Sequence, residues 1–103
     1  MSVVVTATVR PKPEHREEVI ALFERAVARV HVEDPGCELY ALHESAEGLL
    51  MIEKWTDAAA LDAHSRAAAV VELEEGVEGL LERPTAVQIY TARPAGNLRQ
   101  GRL

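Results

Sequence analysis

Cysteine, aromatic residues and cationic clusters are all scarce in this 103-residue chain, and each scarcity excludes a class of function. Cys37 is the only cysteine, so neither an internal disulfide nor a cysteine metal cluster can form, and a reducing, cytoplasmic setting is expected. Aromatic residues reach only 4%, too few for a platform on which bases stack. The formal charge is −6, and the one cationic cluster, Arg93, Arg99 and Arg102, lies near the end of the chain. An acidic body of this kind argues against a nucleic-acid partner or an anionic membrane surface. No apolar run approaches the roughly 18 residues that a membrane span needs. Met1 leads almost directly into the run Val3–Val9, without a basic leader, so a soluble and unexported protein is expected. HExxH, CxxC and a facial set of two histidines with a carboxylate are missing, which leaves no recognisable metal site. GxGxxG, GxxxxGK[ST] and GxSxG are missing too, so phosphate-cradling loops and a nucleophile elbow are not expected.

What is present is regular alternation of β-like and helical segments. Residues 2–10 are rich in β-branched side chains and stop at Pro11, as a strand would. Pro13 opens a helix at a position where a missing N–H costs nothing. Glu14, Glu17 and Glu18 stand at the start of that helix and Arg25, Arg29 and His31 toward its end, as the helix dipole favours. Val19, Phe23, Ala26 and Val30 form its apolar stripe, and Asp34-Pro35-Gly36 ends it. Residues 37–45 and 49–55 read as two strands joined through Ala46-Glu47-Gly48. Thr56 or Asp57 caps the next helix, which starts at Ala58. A further helical stretch carries Val70, Leu73, Val77 and Leu80, weakened by Gly76 and Gly79, which predict a bend or break. Pro84 ends it, and residues 85–91 form the last strand. The order β-α-β-β-α-β predicts an α+β, ferredoxin-like fold with a four-stranded antiparallel sheet over residues 1–92. Residues 93–103 form a C-terminal arm that is loose unless a partner subunit ties it down.

Both helical segments must cover one face of that sheet, yet the second face is not polar. Met51 and Trp55 alternate with Leu50 and Ile52, and Tyr40 and Leu42 alternate with Leu39 and Ala41. A symmetric copy is the simplest cover for such a face, so a homodimer is expected, the two sheets closing into an α+β barrel.

The chemistry-bearing residues concentrate in Glu53-Lys54-Trp55-Thr56-Asp57 and the His64 that follows. His64 falls on the inward side of its helix, and an imidazole titrates near neutrality, which suits a general base. A core histidine that merely caps a neighbouring group is the alternative. Glu53 and Trp55 point to one side of their strand. Glu53 could orient the imidazole or form a salt bridge, with Arg66 or a partner arginine as counter-ion. Trp55 could wall an aromatic substrate or simply fill the core, and Tyr40 could bury its ring with the hydroxyl on backbone. His43 lies near a hairpin end, where solvent accounts for it, and His15 and His31 sit at helix ends.

The pattern Asp34-Pro35-Gly36-Cys37, Tyr40, Leu42-His43, Glu53-x-Trp55 and Ala63-His64 resembles the antibiotic biosynthesis monooxygenase family over about residues 2–92. These are small ferredoxin-like domains that pair into dimeric α+β barrels. The resemblance implies a cofactor-independent oxygenase. It would bind a quinol, polyphenol or polyketide-like compound, remove a proton and let the anion react directly with dioxygen. It implies His64 and Glu53 as catalytic candidates, and Trp55, Tyr40, Thr6, Leu61 and His43 as substrate-binding candidates. Heme-degrading relatives resemble one another in an Asn on the first strand, a Trp in the second helix and a ligating His beyond it. The matching positions here are Thr6, His64 and approximately Leu73, which keep none of the three. Two other readings remain: a non-catalytic dimeric module that binds a small hydrophobic metabolite, and an isomerase-like enzyme using His64 with Glu53. A large chamber favours aromatic oxygenation and a small one the isomerase. His64 tied to backbone would favour sequestration.

Overall fold

Alternating burial along the strands is what organises the molecule, and a computed structural model describes it over residues 1–103. β1 (Val3–Val9) is followed by a 3-10 turn at Pro13–His15 that runs into α1 (Arg16–Glu33). β2 (Cys37–Ser45) and β3 (Gly48–Trp55) form a hairpin, and α2 (Ala58–Ser65), α3 (Ala68–Val77) and β4 (Ala86–Thr91) complete the chain. The sheet order is β2-β3-β1-β4, with every neighbouring pair antiparallel. This is the β-α-β-β-α-β ferredoxin-like arrangement.

Antiparallel register sets side chains in rows across the sheet. On the helix-covered face, Tyr40, Glu53, Val5 and Ile89 form one row, and Leu42, Met51, Ala7 and Val87 the next. The apolar stripe of α1 seals against these rows, with Val19, Phe23, Ala26 and Val30 all buried. Ala69, Leu73 and Val77 of α3 do the same from a second helix. The helices stop short of β4. Val87 and Ile89 point to the helical side but remain 63% and 62% exposed. The opposite face carries the rows Leu39–Lys54–Val4–Tyr90 and Ala41–Ile52–Thr6–Gln88, and no helix covers it.

The second helical region breaks twice, at Arg66-Ala67 between α2 and α3 and again after Val77, where α3 ends at its glycines. Gly76 lies inside α3 against Leu22 of α1, and Gly79, at φ 82°, follows the helix end. The residues between α3 and β4 are tied to the loop after β1. Lys12 N–H donates to the Leu80 carbonyl at 2.9 Å, Glu82 N–H to that of Arg10 at 2.8 Å, and Lys12 Nζ to that of Gly79 at 2.9 Å. The arm after β4 closes a turn of its own, Gly101 N–H donating to the Asn97 carbonyl at 2.9 Å. Its end returns to the uncovered face, where Lys54 Nζ donates to the Leu103 carbonyl at 2.8 Å. No helix is long and apolar enough to cross a membrane.

Candidate active site

The gap between α3 and β4 is a chamber of about 760 Å³, and its inner end is built by residues from five elements. α2 supplies His64, and three local features fix that short helix. Asp57 caps it, its side chain accepting from Ala60 N–H at 2.8 Å. Thr56 Oγ1 donates to the Gly36 carbonyl at 2.8 Å, joining the start of α2 to the loop before β2. Gly36 itself must lack a side chain, because a Cβ there would lie 2.3 Å from Cβ of Ala60. Held this close, α2 turns His64 inward, where it is 7% exposed.

Asp34 ends α1 and also fixes the imidazole. Its N–H still donates to Val30 at 3.0 Å, while its carboxylate takes a 2.7 Å hydrogen bond from Nδ1 of His64. A carboxylate on Nδ1 selects the tautomer with the proton there and leaves Nε2 with a free lone pair. Glu53, expected as the orienting carboxylate, is occupied differently. Its Oε1 accepts from Nε1 of Trp55 at 3.0 Å, and Arg66, its proposed counter-ion, pairs with Asp62 at 2.7 Å. Asp34 is the site residue that sequence reasoning missed: Asp34-Pro35-Gly36 registered as a helix stop and as part of the family pattern, and a 30-residue separation gave no reason to pair it with His64.

Three rings meet at this point. The Trp55 and His64 rings are 4.2 Å apart between centroids with planes tilted by 34°, and Tyr40 meets His64 edge to face at 5.2 Å. Trp55 is wholly buried and backs the imidazole; it does not line the chamber. Tyr40, Glu53, Leu61 and His64 do line it. Thr6 and His43 do not, because the pleat turns both to the uncovered face. His43 there bonds the Ala41 carbonyl through Nδ1 at 3.2 Å.

The electrostatics of the inner end follow from burial. Burial, with Glu53 and Asp34 nearby, pushes the Tyr40 phenol well above its ordinary value, so it stays a neutral donor. Burial likewise raises the Glu53 carboxyl, against the opposing pull of the Trp55 hydrogen bond and the nearby His64. The Tyr40 hydroxyl, Glu53 Oε2 and His64 Nε2 make no hydrogen bond to protein, yet no sealed side-chain polar atom lacks a partner. All three therefore open onto the chamber: a hydroxyl donor, a carboxyl and an imidazole lone pair, ringed by Val5, Ala7, Phe23 and Met51. That set can bind a largely apolar molecule and move a proton at one end of it.

Fold and chamber together define a ferredoxin-like α+β domain with a candidate small-molecule site. The profile of the family described as antibiotic biosynthesis monooxygenase matches residues 2–82. A Mycobacterium tuberculosis protein named "Putative monooxygenase Rv0793" is 35% identical over 89 residues, spanning 84% of this chain and 87% of its own length. Its solved structure superposes with a TM-score of 0.84, covering 95% of this chain and 99% of that one, at 30% identity. The structure of PA3566 from Pseudomonas aeruginosa matches at 28% identity and a TM-score of 0.81, covering 91% and 95%. The chain thus belongs to the antibiotic biosynthesis monooxygenase family.

Proposed function

We propose that this protein is a cofactor-independent monooxygenase acting on a quinol or related polyphenolic compound. The observation that carries the reading is the Asp34–His64 hydrogen bond, which leaves Nε2 as a base at the inner end of a mostly apolar chamber. A phenol and an imidazole differ by roughly 3–4 pKa units, about 5 kcal/mol against transfer of the proton. Asp34 beside the new imidazolium and the Tyr40 hydroxyl on the phenolate oxygen both oppose that cost. The anion then passes an electron to dioxygen, and the resulting pair combines to form a C–O bond. Proton loss and O–O cleavage follow. One oxygen atom stays in the product, the other leaves as water, and the substrate itself supplies all four electrons.

A chamber of about 760 Å³ suits an aromatic compound better than the small carbonyl compound of an isomerase. The carboxylate partner on His64, in place of a backbone carbonyl, favours proton transfer over passive sequestration. The uncovered sheet face supports a homodimer, since Val4, Leu39, Ala41, Leu50 and Ile52 lie there only half-buried. The lone Cys37 supports a cytoplasmic setting.

Oxygen uptake by the metal-stripped protein over a panel of hydroquinones and polyphenols tests the proposal. The expected result is uptake above the autoxidation background that falls by roughly 10²–10⁴-fold in His64→Ala. Equal uptake with and without His64 would remove the base and the mechanism with it. For assembly, Ile52→Lys is expected to yield monomers by sedimentation, and a monomeric parent protein would refute the pairing.

A further inference from the structure

Carboxylates gather at the outer part of the chamber, whereas its inner end holds one, Glu53, among apolar side chains. Glu74, Glu78 and Glu82 line it from α3 and the segment that follows, and Arg83 is the only cationic residue among the lining side chains. None of the three glutamates takes part in a salt bridge, although Glu72, two residues before this set, pairs with Arg29. The formal charge of the whole chain, −6, adds to the same field. A chamber lined by one sign of charge with low-dielectric walls concentrates ligands of the opposite sign. Independent of this rim, the Tyr40 hydroxyl, on a side chain only 4% exposed, opens into the same chamber without a protein partner and is free to bond a ligand's polar end.

We propose that the chamber selects aromatic substrates carrying a cationic substituent, such as a protonated amine. The phenolic end sits at Tyr40 and His64, and the ammonium group lies among Glu74, Glu78 and Glu82. Anionic analogues are rejected at the rim. This proposal rests on the oxygenase reading for the identity of the phenolic end, but its charge preference is a property of binding alone. The three glutamates are exposed, so solvent and salt screen each one. A difference of about tenfold between cationic and anionic ligands is the expected scale for three such charges acting together.

The test is anaerobic calorimetric titration of the intact protein with three matched probes: 2-(aminomethyl)hydroquinone, 2-methylhydroquinone and 2,5-dihydroxybenzoate. The expected order of affinity is ammonium, then neutral, then carboxylate, with roughly tenfold between the extremes in low salt and a smaller ratio in 1 M salt. Combining Glu74→Gln, Glu78→Gln and Glu82→Gln is expected to flatten the series while leaving Tm within a few degrees. Equal affinities, a reversed order, or no binding by any probe would overturn the proposal. So would a series that survives the triple substitution. Aerobic oxygen uptake is measured separately: charge-graded binding without uptake would sink the oxygenase reading and keep this one, and uptake without charge preference would do the reverse.

Discussion

Asp34 and His64 meet through a single 2.7 Å hydrogen bond although 30 positions separate them, and their side chains are only 12% and 8% exposed. The bond joins the end of one helix to the inner side of another, so folding itself selects the imidazole tautomer. Asp34→Asn keeps the shape and removes the negative charge. Losing a group that orients a reacting histidine commonly costs 10–100-fold, and the loss is expected in kcat with KM nearly unchanged. Steady-state kinetics of the variant would check this; an unaltered kcat would reduce Asp34 to a helix stop.

Gly36 controls the same pair through distance. Because a Cβ at this position would lie 2.3 Å from Cβ of Ala60, Gly36→Ala must push α2 outward or shift the loop. Overpacking of this kind costs roughly 1–3 kcal/mol, and the displaced helix carries His64 away from Asp34. The variant is expected to lose stability in chemical denaturation and activity together. Full activity at wild-type stability would show that α2 can yield without moving its histidine.

Glu53 makes stability depend on pH in an unusual direction for a carboxylate. Burial raises its native pKa above the ordinary value, so the native state holds its proton more tightly than the unfolded chain does. That stabilisation is complete below the unfolded value of about 4.3 and is lost as pH rises through the raised native value. Glu53→Gln preserves an acceptor for Trp55 Nε1 and removes the titration. The Tm of the variant is expected to gain on wild type as pH rises from about 4 toward neutrality. A gap that stays constant over that range would refute the assignment.

The sheet and α1 were legible because their signals are local and repeated. Val19, Phe23, Ala26 and Val30 recur at helical spacing, and all four are buried. The pleat carried Glu53 and Trp55 to one face for the same reason. The candidate site was legible only in part, because its decisive contact is not local. Nothing within a few residues of Asp34 or His64 announces their bond, and it arises only once Gly36 lets α2 settle beside the end of α1. Thr6 and His43 fail to reach the chamber because a strand's alternate residues face opposite ways, and their phase favours the uncovered side. The break at Arg66-Ala67 also escaped the helical pattern. Gly76 and Gly79 mark the end of α3 at Val77, but no comparable signal marks the earlier separation of α2 from α3.

Trp55 is expected to matter for stability before it matters for binding. It is fully buried, stacks beside His64 and donates to Glu53, so truncation opens a large cavity and leaves a buried carboxyl oxygen without its donor. Trp55→Ala should cost about 3–5 kcal/mol in denaturant unfolding. Trp55→Phe keeps the ring contact and should cost less. A Trp55→Ala protein of native stability would contradict the packing described for β3.

Tyr40 offers the cleanest separation of chemistry from folding. Its ring is buried among Trp55 and His64, whereas its hydroxyl bonds nothing in the protein and faces the chamber. Removing an oxygen that makes no internal hydrogen bond leaves no buried partner unsatisfied, so Tyr40→Phe should shift Tm by no more than a few degrees. The hydroxyl stays protonated through neutral pH, because burial and the neighbouring Glu53 and Asp34 hold its pKa high, and it can donate to a developing phenolate. Loss of one such donor is worth roughly 10²–10³-fold in turnover when it is fully engaged. The expected result for Tyr40→Phe is therefore a large fall in kcat at nearly unchanged stability. A fall in Tm with intact turnover would instead make the hydroxyl a structural group and leave His64 without a partner on the substrate oxygen.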